Sequence, residues 1–157
     1  MTIARHLAKL GQSRPSLRLS QTWVAPSILG ILLLGTSCNP IRATKLADEA
    51  TAQIHRQVAE GQDGAIYAAA APDYRKFSSY DDLVRMNSII RLKMGACGAP
   101  QRQRFGLETT FGGTFATTQV RTTCANGPLT ETFAWLIEND RALLLRYSAN
   151  SPLLPTE

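Results

Sequence analysis

Gln103-Arg104-Phe105-Gly106-Leu107-Glu108-Thr109-Thr110-Phe111-Gly112-Gly113 is where the chain changes its period. Upstream of Pro100, apolar residues recur every three or four positions. Here Gln103, Phe105, Leu107, Thr109 and Phe111 alternate with Arg104, Gly106, Glu108 and Thr110, as in a half-buried strand. Gly112-Gly113 then reads as a two-residue hairpin turn, Asn126-Gly127 as a stronger one, and Asn139-Asp140 as a third. Segments 101–111, 114–124, 130–138 and 141–149 therefore predict a four-stranded antiparallel meander. Proline-rich residues 151–157 form a tail.

Two-residue turns fix the registers. Phe105, Val120, Phe133 and Arg146 fall in one row, Leu107, Thr118, Trp135 and Leu144 in the next, and Thr109, Ala116, Ile137 and Ala142 in a third. One face is then mostly apolar across all four strands. A slip of one residue anywhere would turn that strand's side chains to the other face. The middle register is the least secure, because Pro128 is able to widen its loop.

Helical stripes upstream supply a partner for this face. Ala43, Leu46, Ala47, Ala50, Ile54 and Val58 share one stripe of a helix that Gly61 ends. A second, short helix holds Ala65 to Ala71, with Asp63 as its N-cap and Pro72 as its stop. A third opens at Ser79 with Asp82 three residues on, close to a capping box. It carries Leu83, Met86, Ile89, Ile90 and Met94, and ends at Gly95. Helices followed by a meander predict an α+β domain over 43–150, its N-terminal helices packed on one face of a curved four-stranded antiparallel sheet.

The order, lengths and turn positions resemble the nuclear transport factor 2-like (cystatin-like) superfamily, and within it small bacterial lipoproteins of unknown function. The residues concerned are Asp63 to Pro72 with Tyr67, Ser79-Tyr80-Asp81-Asp82, Gly95, and the run from Gly127 to Tyr147. The resemblance implies a cone-shaped fold whose pocket lies between sheet and helices. It also implies that some members use pocket carboxylates catalytically while many only bind.

The leader points to export. Arg5, Lys9, Arg14 and Arg18 precede the apolar stretch Trp23 to Leu34, and Gly35-Thr36-Ser37 leads into Cys38. The apolar stretch is shorter than the roughly 20 residues of a membrane-spanning helix. The layout resembles a lipoprotein signal peptide over 1–37. That resemblance implies acylation of Cys38 and a lipidated tether over 38–42. Gly35 stands where such signals usually have Leu, and ordinary signal cleavage or a retained anchor are the other readings. Asn39 is not the aspartate that retains some lipoproteins at an inner membrane, so a two-membrane cell would carry the protein on the periplasmic leaflet of its outer membrane.

Without the leader the charge argument changes. The chain has 17 basic and 12 acidic residues, but four of the basic ones lie in the leader. Thirteen against twelve leaves a net +1, which gives no footprint for nucleic acid. Setting Cys38 aside leaves Cys97 and Cys124. In an oxidising compartment this pair reads as one disulfide, with two buried thiols as the alternative.

Chemistry-bearing residues are few. Gln103, Thr122, Glu131 and Ser148 form the end row of the core-facing surface, with Arg146 one row inward. Glu131 there is either a base at an apolar rim or half of a Glu131–Arg146 pair at the core's edge. His55, alone after the leader, lies about 120° from the first helix's apolar stripe and is expected in solvent. Tyr67, Tyr74 and Tyr80 are unspecific candidates. No metal-ligand set, P-loop or dinucleotide fingerprint is present, so no metal and no cofactor are expected. Leu136, Leu143, Leu145 and Tyr147 form an apolar patch on the sheet's far face, expected under tail residues Leu153 and Leu154, a second copy, or an envelope partner. The favoured reading is a lipid-anchored, non-catalytic binding module for a protein partner or a small apolar ligand in the cone. The alternative is a pocket-carboxylate isomerase, dehydratase or hydrolase using Glu131.

Overall fold

The computed structural model describes residues 39–155. Residues 1–38, which include the expected leader and Cys38, and the last two residues lie outside that range. Four helices, α1 (Pro40–Ala59), α2 (Asp63–Ala69), α3 (Pro72–Phe77) and α4 (Tyr80–Met94), precede four strands, β1 (Gln101–Thr110), β2 (Gly113–Cys124), β3 (Gly127–Glu138) and β4 (Arg141–Asn150). The strands form one antiparallel sheet in the order β1-β2-β3-β4, curved but not closed. Helices pack on a single face of it, so the fold is α+β.

Helix boundaries follow local chemistry, with two departures from expectation. Asn39 caps α1 by accepting from the Ile41 amide at 3.0 Å, and Pro40 stands at the first helical position. Residues 40–42, expected in the tether, are therefore the first turn of a helix. Pro72 stops α2 and also starts α3, for the same reason: its fixed φ suits a first turn and its missing N–H would be unpaired there anyway. Ser79 and Asp82 make the reciprocal capping box of α4. That capping holds the Asp82 carboxyl below its usual value, chiefly through the Ser79 hydroxyl.

Strand registers differ from the expected ones in two instructive ways. The first two turns use Phe111-Gly112 and Ala125-Asn126, pairing Thr110 with Gly113 and Cys124 with Gly127. Gly113 and Gly127 instead open the following strands at φ 131° and 143°, a region that L side chains rarely adopt. Partners shift by two residues, so Val120 faces Glu131 and Thr118 faces Phe133. A shift of two preserves the faces, so the core face survives although its rows pair differently: Phe105 with Thr118 and Phe133, and Leu107 with Ala116 and Trp135. The third turn is at Asn139-Asp140 as read, both residues left-handed (φ 48° and 58°) as a type I′ turn demands.

Two single-residue bulges do change faces. In β1 the register shifts between Arg102 and Arg104, and in β4 it shifts beyond Leu144, leaving Leu145 unpaired. Past Leu145 the core-facing residue opposite Phe133 is Tyr147, and Arg146 faces outward opposite Ala134. Phe133 and Trp135 are fully buried at the centre, and Phe133 stacks on both Trp135 and Tyr147 at 5.5 and 4.8 Å. Leu83, Met94 and Leu129 complete the filling, each at most 1% exposed.

Candidate functional site

Glu131 projects from β3 into this core and is 2% exposed. Its Oε1 accepts from the Tyr147 hydroxyl at 2.6 Å, and its Oε2 meets His55 Nε2 from α1. Among the described residues neither His55 Nε2 nor Glu131 Oε2 has another partner, so the two buried atoms face only each other. A buried carboxylate needs such partners, because leaving it unpaired costs several kcal/mol. Burial, and then the neighbouring Glu131 charge, push the Tyr147 hydroxyl well above its usual value. Tyr147 is thus held as a donor.

The expected pocket row does not assemble. Thr122 and Glu131 do face the core, and the Thr122 hydroxyl is buried with no partner. Gln103 falls at the β1 bulge and is exposed; Arg102 takes the inward place, pairing with Asp48 of α1 at 2.6 Å over the Phe105 ring. Arg146 and Ser148 are exposed on the opposite face, so the expected Glu131–Arg146 pair does not exist. A bulged residue shifts every later side chain by one place, and two bulges removed three of the five expected members.

His55 is a second correction. Its side chain is 12% exposed, against an expectation of solvent. The buried stripe of α1 includes Thr51, whose hydroxyl returns to the Ala47 carbonyl at 2.8 Å. With Thr51 in the buried stripe and Leu46 and Ala50 only at its margin, the stripe centre moves toward His55, which then lies about 80° away rather than about 120°. The signal was legible: a Thr that satisfies itself on its own helix belongs to the apolar face.

A second buried carboxylate, Asp63, is 4% exposed. It is the first residue of α2 and caps nothing, contrary to the expected N-cap. Arg91 grips both its oxygens at 3.3 and 3.1 Å and also donates to the Val58 carbonyl, while Asn87 donates to Oδ1 at 2.7 Å. This cluster joins the end of α1, the start of α2 and the middle of α4. The tyrosines are likewise structural. Tyr67 donates to the Ser78 carbonyl and packs edge-on against Tyr74 and Tyr80.

Cys97 and Cys124 stand at bonding distance, S–S 2.00 Å, tying the α4–β1 connection to the end of β2. Among the described residues no group of three or more His, Cys, Asp or Glu converges as for a metal ion, and no helix is long and apolar enough to cross a membrane.

Two open recesses flank the core. One, of about 220 Å³, lies between α1 and the start of β4, beside Ile54, Gln57 and Trp135. The other, of about 910 Å³, runs between α4 and the outer half of β4. Met86 and Ile89 line its helix side and Arg146 to Asn150 its strand side, with Tyr74 and Tyr147 also on its wall. The tail enters here: Leu154 lines this cleft rather than covering the far face. On that far face Phe115, Leu136 and Leu143 stay half-buried. No protein-family model matches the chain, and no curated protein matches its sequence significantly.

Proposed function

We propose that the chain is a lipid-anchored bacterial envelope protein whose α+β domain is a non-catalytic binding module, with its partner received at the α4–β4 cleft. The contrast between that cleft and Glu131 supports the reading. Glu131 has both oxygens engaged inside a filled core, so service as a base would first require it to release His55 or Tyr147. The cleft offers about 910 Å³, within the range of ligand sites, and half-buried apolar side chains of α4, β4 and the tail line it. The leader and Cys38 carry the membrane half of the proposal.

Photo-cross-linking in native membranes tests it. A photoreactive residue at Met86, inside the cleft, should capture a discrete envelope component. The same residue at Leu92, exposed on α4 outside the cleft, should not. Equal labelling at both sites, or none at Met86, would contradict a binding role for the cleft.

A further inference from the structure

We propose, resting on the binding role of the α4–β4 cleft, that its partner is an extended peptide segment, apolar and acidic in alternation, which adds as a fifth strand to the edge of β4. Three independent observations converge on this occupant.

First, β4 is the sheet's outer strand, and its two halves differ. Near the turn the edge is covered, because the Ala71 amide donates to the Leu144 carbonyl at 2.9 Å. Beyond the Leu145 bulge, among the described residues, no backbone or side-chain group outside the sheet bonds to the backbone of 146–150. Alternate N–H and C=O groups there present a template for another strand. An aliphatic ligand would leave those groups unmatched; a peptide backbone satisfies them.

Second, the floor beside this edge is apolar. Met86 and Ile89 of α4 and Ala149 of β4 are half-buried on its walls, with tail residue Leu154 beside them. Every second side chain of an added strand would point into this floor. Five residues of edge at about 3.3 Å each give a run of roughly 17 Å.

Third, the rim carries excess positive charge. The charged residues lining the cleft are Asp82, Arg85 and Arg146. Asp82 and Arg85 pair with each other, whereas Arg146 makes no ion pair among the described residues. A carboxylate on the incoming strand is the complementary partner for its guanidinium. The other sheet edge, β1, lacks this combination. It is largely exposed, bulged at Gln103, and studded with Arg102, Arg104 and Glu108, features that discourage pairing.

Panning a displayed library of random short peptides against the full chain in detergent tests the proposal. The enriched sequences should alternate apolar and acidic residues and protect the amides of 146–150 from hydrogen exchange. Arg146→Glu, at an exposed position, should leave the melting temperature unchanged yet weaken the selected peptides about tenfold. Strand addition has its own signature in peptides N-methylated at alternate residues. One methylation phase should abolish binding, and the other should leave it intact. No enrichment, enrichment without acidic residues, or equal tolerance of both phases would overturn strand addition. Cross-linking at Met86 answers separately for the binding role, since it still captures a partner that adds no strand.

Discussion

Asp63 and Glu131 are both carboxylates buried to within a few per cent of complete, yet they are held by different chemistry. Asp63 meets a guanidinium that is always charged and forks onto both oxygens, with an amide beside it. Glu131 meets an imidazole and a phenol, the phenol held as a donor by burial. Asp63 also lies near the surface, where the Arg91 side chain is 30% exposed, while His55 and Glu131 are 12% and 3% exposed. The Asp63 cluster is therefore a helix-to-helix staple with a wet side. The Glu131 cluster is a helix-to-sheet clamp with almost none, and its Tyr147 hydroxyl, raised by burial, should make the clamp's stability fall at alkaline pH.

The largest expected effect comes from breaking the clamp. Glu131→Ala leaves His55 and Tyr147 without their partner in the core and opens a void, which should cost about 3–5 kcal/mol in urea unfolding. Asp63→Ala should cost less, about 1–3 kcal/mol, because Arg91 can turn its freed guanidinium toward water. If the two losses came out equal, or in the reverse order, the contrast between clamp and staple would be wrong.

Alkaline titration sharpens the same contrast. Burial first, then the Glu131 charge, hold the Tyr147 hydroxyl above its ordinary value of 10.0. Its folded value being raised, the contribution to stability is fully present below about pH 10 and is lost as pH rises through the folded value. Melting temperature should therefore fall from pH 10 upward. Tyr147→Phe should fall less steeply from a start about 1 kcal/mol lower, the hydrogen bond being gone. Tyr74, raised in the same direction by burial, supplies a residual slope. Identical slopes in the two proteins would remove Tyr147 from the clamp.

The smallest expected effect belongs to the staple. Arg91→Lys keeps the charge but loses the fork, and should cost roughly 1 kcal/mol or less in urea unfolding. A loss matching that of Asp63→Ala would mean that geometry, rather than charge, is what Asp63 requires.

How far the sequence carried these features depends on what each rests on. The capping box at Ser79, the period-two strands and the Asn139-Asp140 turn were all readable, because each is a local preference written in adjacent residues. Core faces also survived two misplaced turns, since both errors shifted the register by two. The clamp was not readable because it depends on the Leu145 bulge, and Leu143-Leu144-Leu145 gives no glycine or proline to mark one. Without that bulge Arg146 faces the core; with it Tyr147 does. His55 was missed because the buried stripe of α1 takes in Thr51 and leaves Leu46 and Ala50 at its margin, and the Asp63 staple because its partners lie 24 and 28 residues away.

The most direct test is a double-mutant cycle between His55→Leu and Glu131→Leu, read as unfolding free energy near pH 7. If Glu131 holds α1 onto the sheet through His55, the two substitutions should be coupled by about 1–3 kcal/mol. Additive losses, within about 0.5 kcal/mol of zero coupling, would contradict the clamp and return Glu131 to consideration as a free carboxylate with chemistry of its own.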